Sequence, residues 1–183
     1  VALARRALAL LLPLTLVACG GGGDQLASGG VVGTGSAGLV AVGTITALGA
    51  GRATVNGWDF ATAGAAITIN GQASTDAALK IGMVVTVQGV TLPGGGASAV
   101  AIDYRAEVRG VVSGIDTAGQ SFTVLGQRVR TNTQTVFDGG TFATLINQYV
   151  EVSGYRSSPG DMLATRIGIQ STVATGAPLT VRG

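Results

Sequence analysis

The 183-residue chain contains no histidine. The commonest general base and the commonest zinc ligand are therefore missing, and with them the Ser/His/Asp and Cys/His arrangements that carry most hydrolase chemistry. A serine/lysine pair would have to use Lys80, the only lysine, and no second feature points to it. Cys19 is the only cysteine, so no disulfide forms within the chain. Charged residues are 11% of the chain against a usual share of about 25%, so the surface is built mostly from Thr, Ser, Gln, Asn and Gly. That composition fits an extracytoplasmic setting. No cofactor or metal is expected. Asp116-Thr117-Ala118-Gly119 and Asp138-Gly139-Gly140 lack the twelve-residue ligand rhythm of an EF-hand and read as β-turns.

What is present begins with a leader. Arg5 and Arg6 precede an uncharged run from Ala7 to Val17 that has the make-up of a secretory h-region. It is far shorter than the ~20 apolar residues a membrane-spanning helix needs. Leu16-Val17-Ala18-Cys19 at its end resembles the lipobox of bacterial lipoprotein signal peptides. The resemblance implies a signal peptide over residues 1–18, cleavage before Cys19, and lipid on both its thiol and its new amine. Several acyl chains hold a protein on a membrane surface where one alone binds marginally. Gly20, in place of the aspartate that retains such proteins at the inner membrane, implies an outer-membrane address. Removing Arg5 and Arg6 from the eleven Lys+Arg leaves nine against nine Asp+Glu, so the exported chain is neutral. A nucleic-acid partner is not expected without a basic excess.

Residues 19–38 follow as a lipidated cysteine and a glycine-rich tether that includes Gly20-Gly21-Gly22-Gly23. From Leu39 short β-branched runs alternate with Gly, Asn and Asp turns, and the pattern occurs twice. Gly43-Thr44-Ile45 aligns with Gly110-Val111-Val112, and Val85-Thr86-Val87-Gln88-Gly89 with Val150-Glu151-Val152-Ser153-Gly154. The boundaries read as a first β domain over 39–104, a second over 105–170, and a tail or edge strand over 171–183. Asn56-Gly57 marks a hairpin, since a type I′ turn needs positive φ at both central residues. Ser74 to Ile81 and Thr141 to Ile146 read as short helices closed by Gly82 and Asn147. Met83, Val85 and Val87 share the packed face of the next strand, as do Val150 and Val152. Thr86, Gln88, Glu151 and Ser153 fall on the opposite, wet face. Five strands with a helix between the third and fourth predict an all-β chain of two tandem, small, OB-like barrels.

Phe122-Thr123-Val124-Leu125-Gly126, Thr135-x-Phe137, Val150-Glu151-Val152-Ser153-Gly154 and Leu163-Ala164-x-x-Ile167 resemble the domain-of-unknown-function family 5666, a module often repeated in bacterial lipoproteins. The resemblance covers about Gly43 to Ile169. The first repeat departs from it in lacking the phenylalanine before its second strand and the acidic residue inside V-x-V-x-G. The family implies an envelope module and no particular activity.

Trp58, Arg128, Arg130, Tyr149 and Tyr155 form the candidate ligand face, Trp58 as a sugar platform or, more simply, a buried cap. Arg105, Arg109, Arg128 and Arg130 with Tyr149, Tyr155 and Phe122 could serve single-stranded nucleic acid. Cross-strand pairing with Glu107 and Glu151 is the simpler reading. Asp103, Glu107, Glu151 and Asp161 are the only material for a glycosidase-like carboxylate pair, and no spacing marks them out. The expectation is a non-catalytic, lipid-anchored envelope module that binds an envelope protein or glycan or serves as structure. A carboxylate-only enzyme acting on glycans is the alternative, and a single-stranded nucleic-acid binder the more remote one.

Overall fold

A computed structural model describes residues 38–158, 160–170 and 177–182. The segment expected to be a leader with a lipobox, and Cys19 with it, lies outside the described residues. The first repeat contains β1 (Gly38–Gly49), β2 (Arg52–Val55), β3 (Trp58–Ala61), β4 (Ala66–Ile69), β5 (Gln72–Ser74), β6 (Val84–Thr91) and β7 (Ala97–Tyr104). The second contains β8 (Val108–Asp116), β9 (Ser121–Val124), β10 (Gln127–Arg130), β11 (Val136–Asp138), β12 (Tyr149–Ser158), β13 (Asp161–Gln170) and β14 (Thr180–Val181).

The all-β class holds, but two five-stranded OB-like barrels with a helix between strands 3 and 4 do not. Each repeat is a seven-stranded sheet, ordered β3-β2-β1-β6-β7-β4-β5 in the first and β10-β9-β8-β12-β13-β11 with β14 beside β8 in the second. The expected helices shrink to three-residue 3-10 turns, Asp76–Ala78 and Phe142–Thr144. Two causes act on the first. Asn70 and Gly71 both have positive φ, 51° and 81°, and fold the chain into the β4–β5 hairpin, which takes Ser74 into a strand. The few residues left before Gly82 cannot meet the cost of nucleating an α-helix. The backbone at the end of each segment is as read: Gly82 and Asn147 are left-handed, at φ 89° and 61°.

Each repeat has its own apolar core. Ile45, Val55, Phe60, Val85, Val87 and Ile102 close the first, and Val112, Phe122, Val124, Val129, Val150, Val152 and Ile167 the second. The glycine of V-x-V-x-G has a physical reason in both. Gly89 and Gly154 sit at register shifts between β6 and β7 and between β12 and β13. A Cβ at Gly89 would stand 2.6 Å from Ser98 O, and one at Gly154 would meet Leu163 O and, at 2.9 Å, the Ala164 Cα. A side chain there would push the paired strands apart. The tail supplies an edge strand: Thr180 and Val181 pair with Arg109 and Val108 of β8, and Tyr149 Oη donates to Pro178 O at 2.5 Å.

Candidate functional site

The outer face of β12 was expected to be wet, and it is where the first repeat docks. Ser153 is buried, and its Oγ accepts a hydrogen bond from Val84 N at 2.8 Å. Glu151 Oε2 accepts from Asn70 Nδ2 at 2.8 Å and lies 3.3 Å from Arg109 Nε. That Arg109 nitrogen is buried and off the hydrogen-bond direction, so the Arg109–Glu151 attraction is coulombic at this atom. Asn70 Oδ1 accepts from Ala106 N at 2.9 Å, which ties the β4–β5 turn to the linker between repeats. Thr165 Oγ1 donates to Gly82 O at 2.7 Å, and the buried Arg166 donates to Ile81 O at 3.3 Å while pairing with Asp138. Alternation along β12 correctly separates its two faces; it cannot say that a second sheet covers the polar one.

Tyr104 closes this seam. Burial, reinforced by the Glu151 carboxylate that its hydroxyl faces, pushes its pKa far above that of a free phenol, against the opposing pull of Arg166 and Ser153. The side chain stays neutral and serves as a donor. Asp103, one residue earlier and on the opposite face, moves the other way. Partial burial would raise its pKa, but hydrogen bonds from Thr68 and Arg105 and the charges of Arg105 and Arg182 hold it below the ordinary carboxylate value.

Two grooves flank the seam. One, of about 390 Å³, runs between Val42, Thr86 and Asp103 of the first repeat and Tyr155, Arg156 and Arg182 of the second. The other, of about 450 Å³ and more apolar, lies between Ile45 and Ile81 on one side and Gln134, Val136 and Leu163 on the other. Tyr155 belongs to both, 44% exposed, with its hydroxyl 3.0 Å from Thr44 Oγ1 across the seam.

The sequence-predicted residues do not form one face. Tyr155 is in the grooves, but Tyr149 is buried under Pro178 and Phe122 is buried in the second core. The stacking set for single-stranded nucleic acid is thus reduced to Tyr155. Arg105 pairs with Asp103 at 2.9 Å, and Glu107 pairs with Arg182 at 3.1 Å. Arg128, on β10, donates to Ser121 Oγ at 3.2 Å and lies 3.9 Å from Asp116, while Arg130 is exposed beside it. Trp58 is 40% exposed rather than a buried cap: it pairs with the buried Val55 and so shares the core-facing side, but it stands beside the Asn56-Gly57 turn at the end of the β2–β3 hairpin. Asp161 opens β13 in register with Arg128. Asn70 and Arg166 were missed. The Asn70-Gly71 dipeptide was a hairpin signal as strong as Asn56-Gly57; nothing in the sequence around Arg166 marks it as buried.

The Domain of unknown function (DUF5666) family matches the chain twice, over residues 42–103 and 109–168. The chain belongs to that family. The linker between the two matched stretches holds Arg105, Ala106 and Glu107, so the seam forms where one DUF5666 domain meets the next. No curated protein and no solved structure matches the chain.

Proposed function

We propose that this DUF5666 tandem is a non-catalytic binding module of the bacterial cell envelope, anchored by lipid on Cys19 to a membrane, the outer membrane where there is one, with the grooves beside the seam as its contact surface. One observation carries the reading. The acids along the seam and the adjoining groove are each tied to an arginine: Asp103 to Arg105, Glu107 to Arg182 and Glu151 to Arg109. Asp103, which lines the more polar of the two grooves, has its pKa lowered, whereas a general acid needs it raised. Arginine–carboxylate pairs beside an exposed tyrosine ring make a surface suited to hydrogen bonding and stacking with a polar ligand such as a glycan or an extended peptide. The lipobox and the glycine-rich tether support the envelope address.

Two measurements test the two halves. Radiolabelled palmitate enters the wild type, and Cys19→Ser abolishes labelling and releases the chain from membranes; equal membrane retention of the variant refutes the anchor. Photo-crosslinkers at positions 155 and 42 in intact cells capture an envelope component that a crosslinker at 130 does not. Equal capture from all three positions refutes the grooves as the contact surface.

A further inference from the structure

The two repeats treat the same strand edge differently. Ile45 N donates to Met83 O at 2.8 Å and Gly82 N donates to Ile45 O at 2.9 Å, so the odd-numbered residues of β1 address β6. Antiparallel alternation then turns the N–H and C=O of Gly38, Val40 and Val42 to the other side. β2 does not reach them, since its ladder with β1 starts at Ile45. Asn56 Nδ2 donates to Val42 O at 2.7 Å and ends the stretch that is open among the described residues. With Gly43 aligned to Gly110, Val40 and Val42 correspond to Glu107 and Arg109. In the second repeat those two residues carry β14: Arg182 N donates to Glu107 O at 2.9 Å, and Thr180 pairs with Arg109.

An open edge normally carries a lysine, a proline or an inward charge against unwanted pairing. Gly38-Leu39-Val40-Ala41-Val42-Gly43 has none of these. Val40 and Val42 are 69% and 58% exposed, and Val100, at the register shift opposite Gln88, is 57% exposed. The β14 of another chain does not fit here. Its Arg182 is matched by Glu107 at 3.1 Å, and the equivalent position, Val40, offers an aliphatic side chain. An uncharged valine edge is complementary to another uncharged valine edge.

We propose that β1 is a self-association edge, pairing antiparallel with β1 of a second copy about a two-fold axis at Val40. Val40 then exchanges both backbone hydrogen bonds with its own counterpart, and each Val42 N–H meets the other chain's Gly38 C=O, with Gly38 leaving room for the facing valine. The pairing is isologous and closes at two subunits. A six-residue edge is small beside the area of a stable dimer, so the association is weak in solution and favoured where copies are concentrated on a surface.

Sedimentation velocity of the purified full chain over a hundredfold concentration range is expected to show a monomer–dimer equilibrium. Val40→Lys and Val40→Asp each weaken it at least about tenfold, because like charges meet at the axis. Their circular dichroism stays that of the wild type, the side chain being largely in solvent. An equimolar mixture of the two restores dimer, which only a Val40-to-Val40 contact predicts. Three results overturn the proposal: a wild type monomeric throughout the range, no recovery in the mixture, or slow exchange of the Val40 amide in the monomer, which would mean that the edge is already covered.

Discussion

Asn70 Nδ2 donates to Glu151 Oε2 at 2.8 Å, joining a turn of the first repeat to a strand of the second. The same amide accepts Ala106 N at 2.9 Å, so one side chain fixes both the linker and the neighbouring sheet. This contact is one of several hydrogen bonds that join the repeats in spite of their two separate cores.

Asn70→Ala leaves the Ala106 N–H without its partner and takes one hydrogen-bond donor from Glu151 Oε2. Two lost hydrogen bonds, one to a carboxylate, cost about 2–4 kcal/mol. Calorimetry should show the loss as a lower Tm and as a broader, less cooperative transition, because the variant removes part of the coupling between repeats. A single, equally cooperative transition in the variant would show that the contact does not couple the repeats.

The strands were legible because their cause is local. Val85 and Val87, and Val150 and Val152, alternate with polar residues at the period of a strand, and Asn56-Gly57 demands its turn. The all-β class and the second repeat's core followed from these patterns. The helix of the first repeat shrinks to a turn because, although Ala77, Ala78 and Leu79 favour a helix intrinsically, the hairpin at Asn70-Gly71 leaves too little chain to build one. The seam was illegible for a different reason. Glu151 and Ser153 look like solvent residues, and only the packing of one sheet on another makes them seam partners of Tyr104 and Asn70, with Ser153 buried.

Gly82→Ala tests that packing directly. The residue has φ 89°, and an added Cβ would stand 2.9 Å from both Thr165 O and the Arg166 Cβ. Gly94→Ala has the same backbone strain, φ 87°, with nothing nearby. The Gly94 variant should cost about 1 kcal/mol and the Gly82 variant about 2–4 kcal/mol, the excess measuring steric conflict across the seam. Urea unfolding gives both, and equal midpoints would mean that the seam yields.

Titration separates the two neighbouring residues Asp103 and Tyr104. Asp103 has a folded pKa below its ordinary 3.8, so it stabilises the fold above that value, and the contribution is lost as pH falls through the lower folded pKa. Arg105→Ala removes a hydrogen bond and a charge, and should move the Asp103 midpoint upward in an NMR titration of its carboxyl carbon. Tyr104 is shifted the other way from its ordinary 10.0. Its contribution is complete below pH 10 and is lost as pH rises above it, because the unfolded phenol ionises first. Tyr104→Phe should therefore flatten the fall of Tm above pH 10 while leaving the acid limb unchanged.

The C-terminal strand offers the complement to the valine edge of β1. Tyr149 Oη holds Pro178 O at 2.5 Å and Arg182 holds Glu107 at 3.1 Å, one contact at each end of the β14 ladder. Tyr149→Phe with Arg182→Ala removes both. The exposed ion pair contributes little and the hydrogen bond about 1 kcal/mol, so global stability should drop by only about 1–2 kcal/mol. Exchange of the Arg109 amide should nevertheless accelerate by an order of magnitude or more, because the strand covering that edge comes away while the β8–β12 ladder remains. The uncovered edge of β8 carries Glu107 and Arg109, the guard that β1 lacks at Val40 and Val42. The double variant should thus show no added self-association in sedimentation velocity. If it does associate through β8, strand charge is not what distinguishes the two edges, and the difference between the repeats lies in shape.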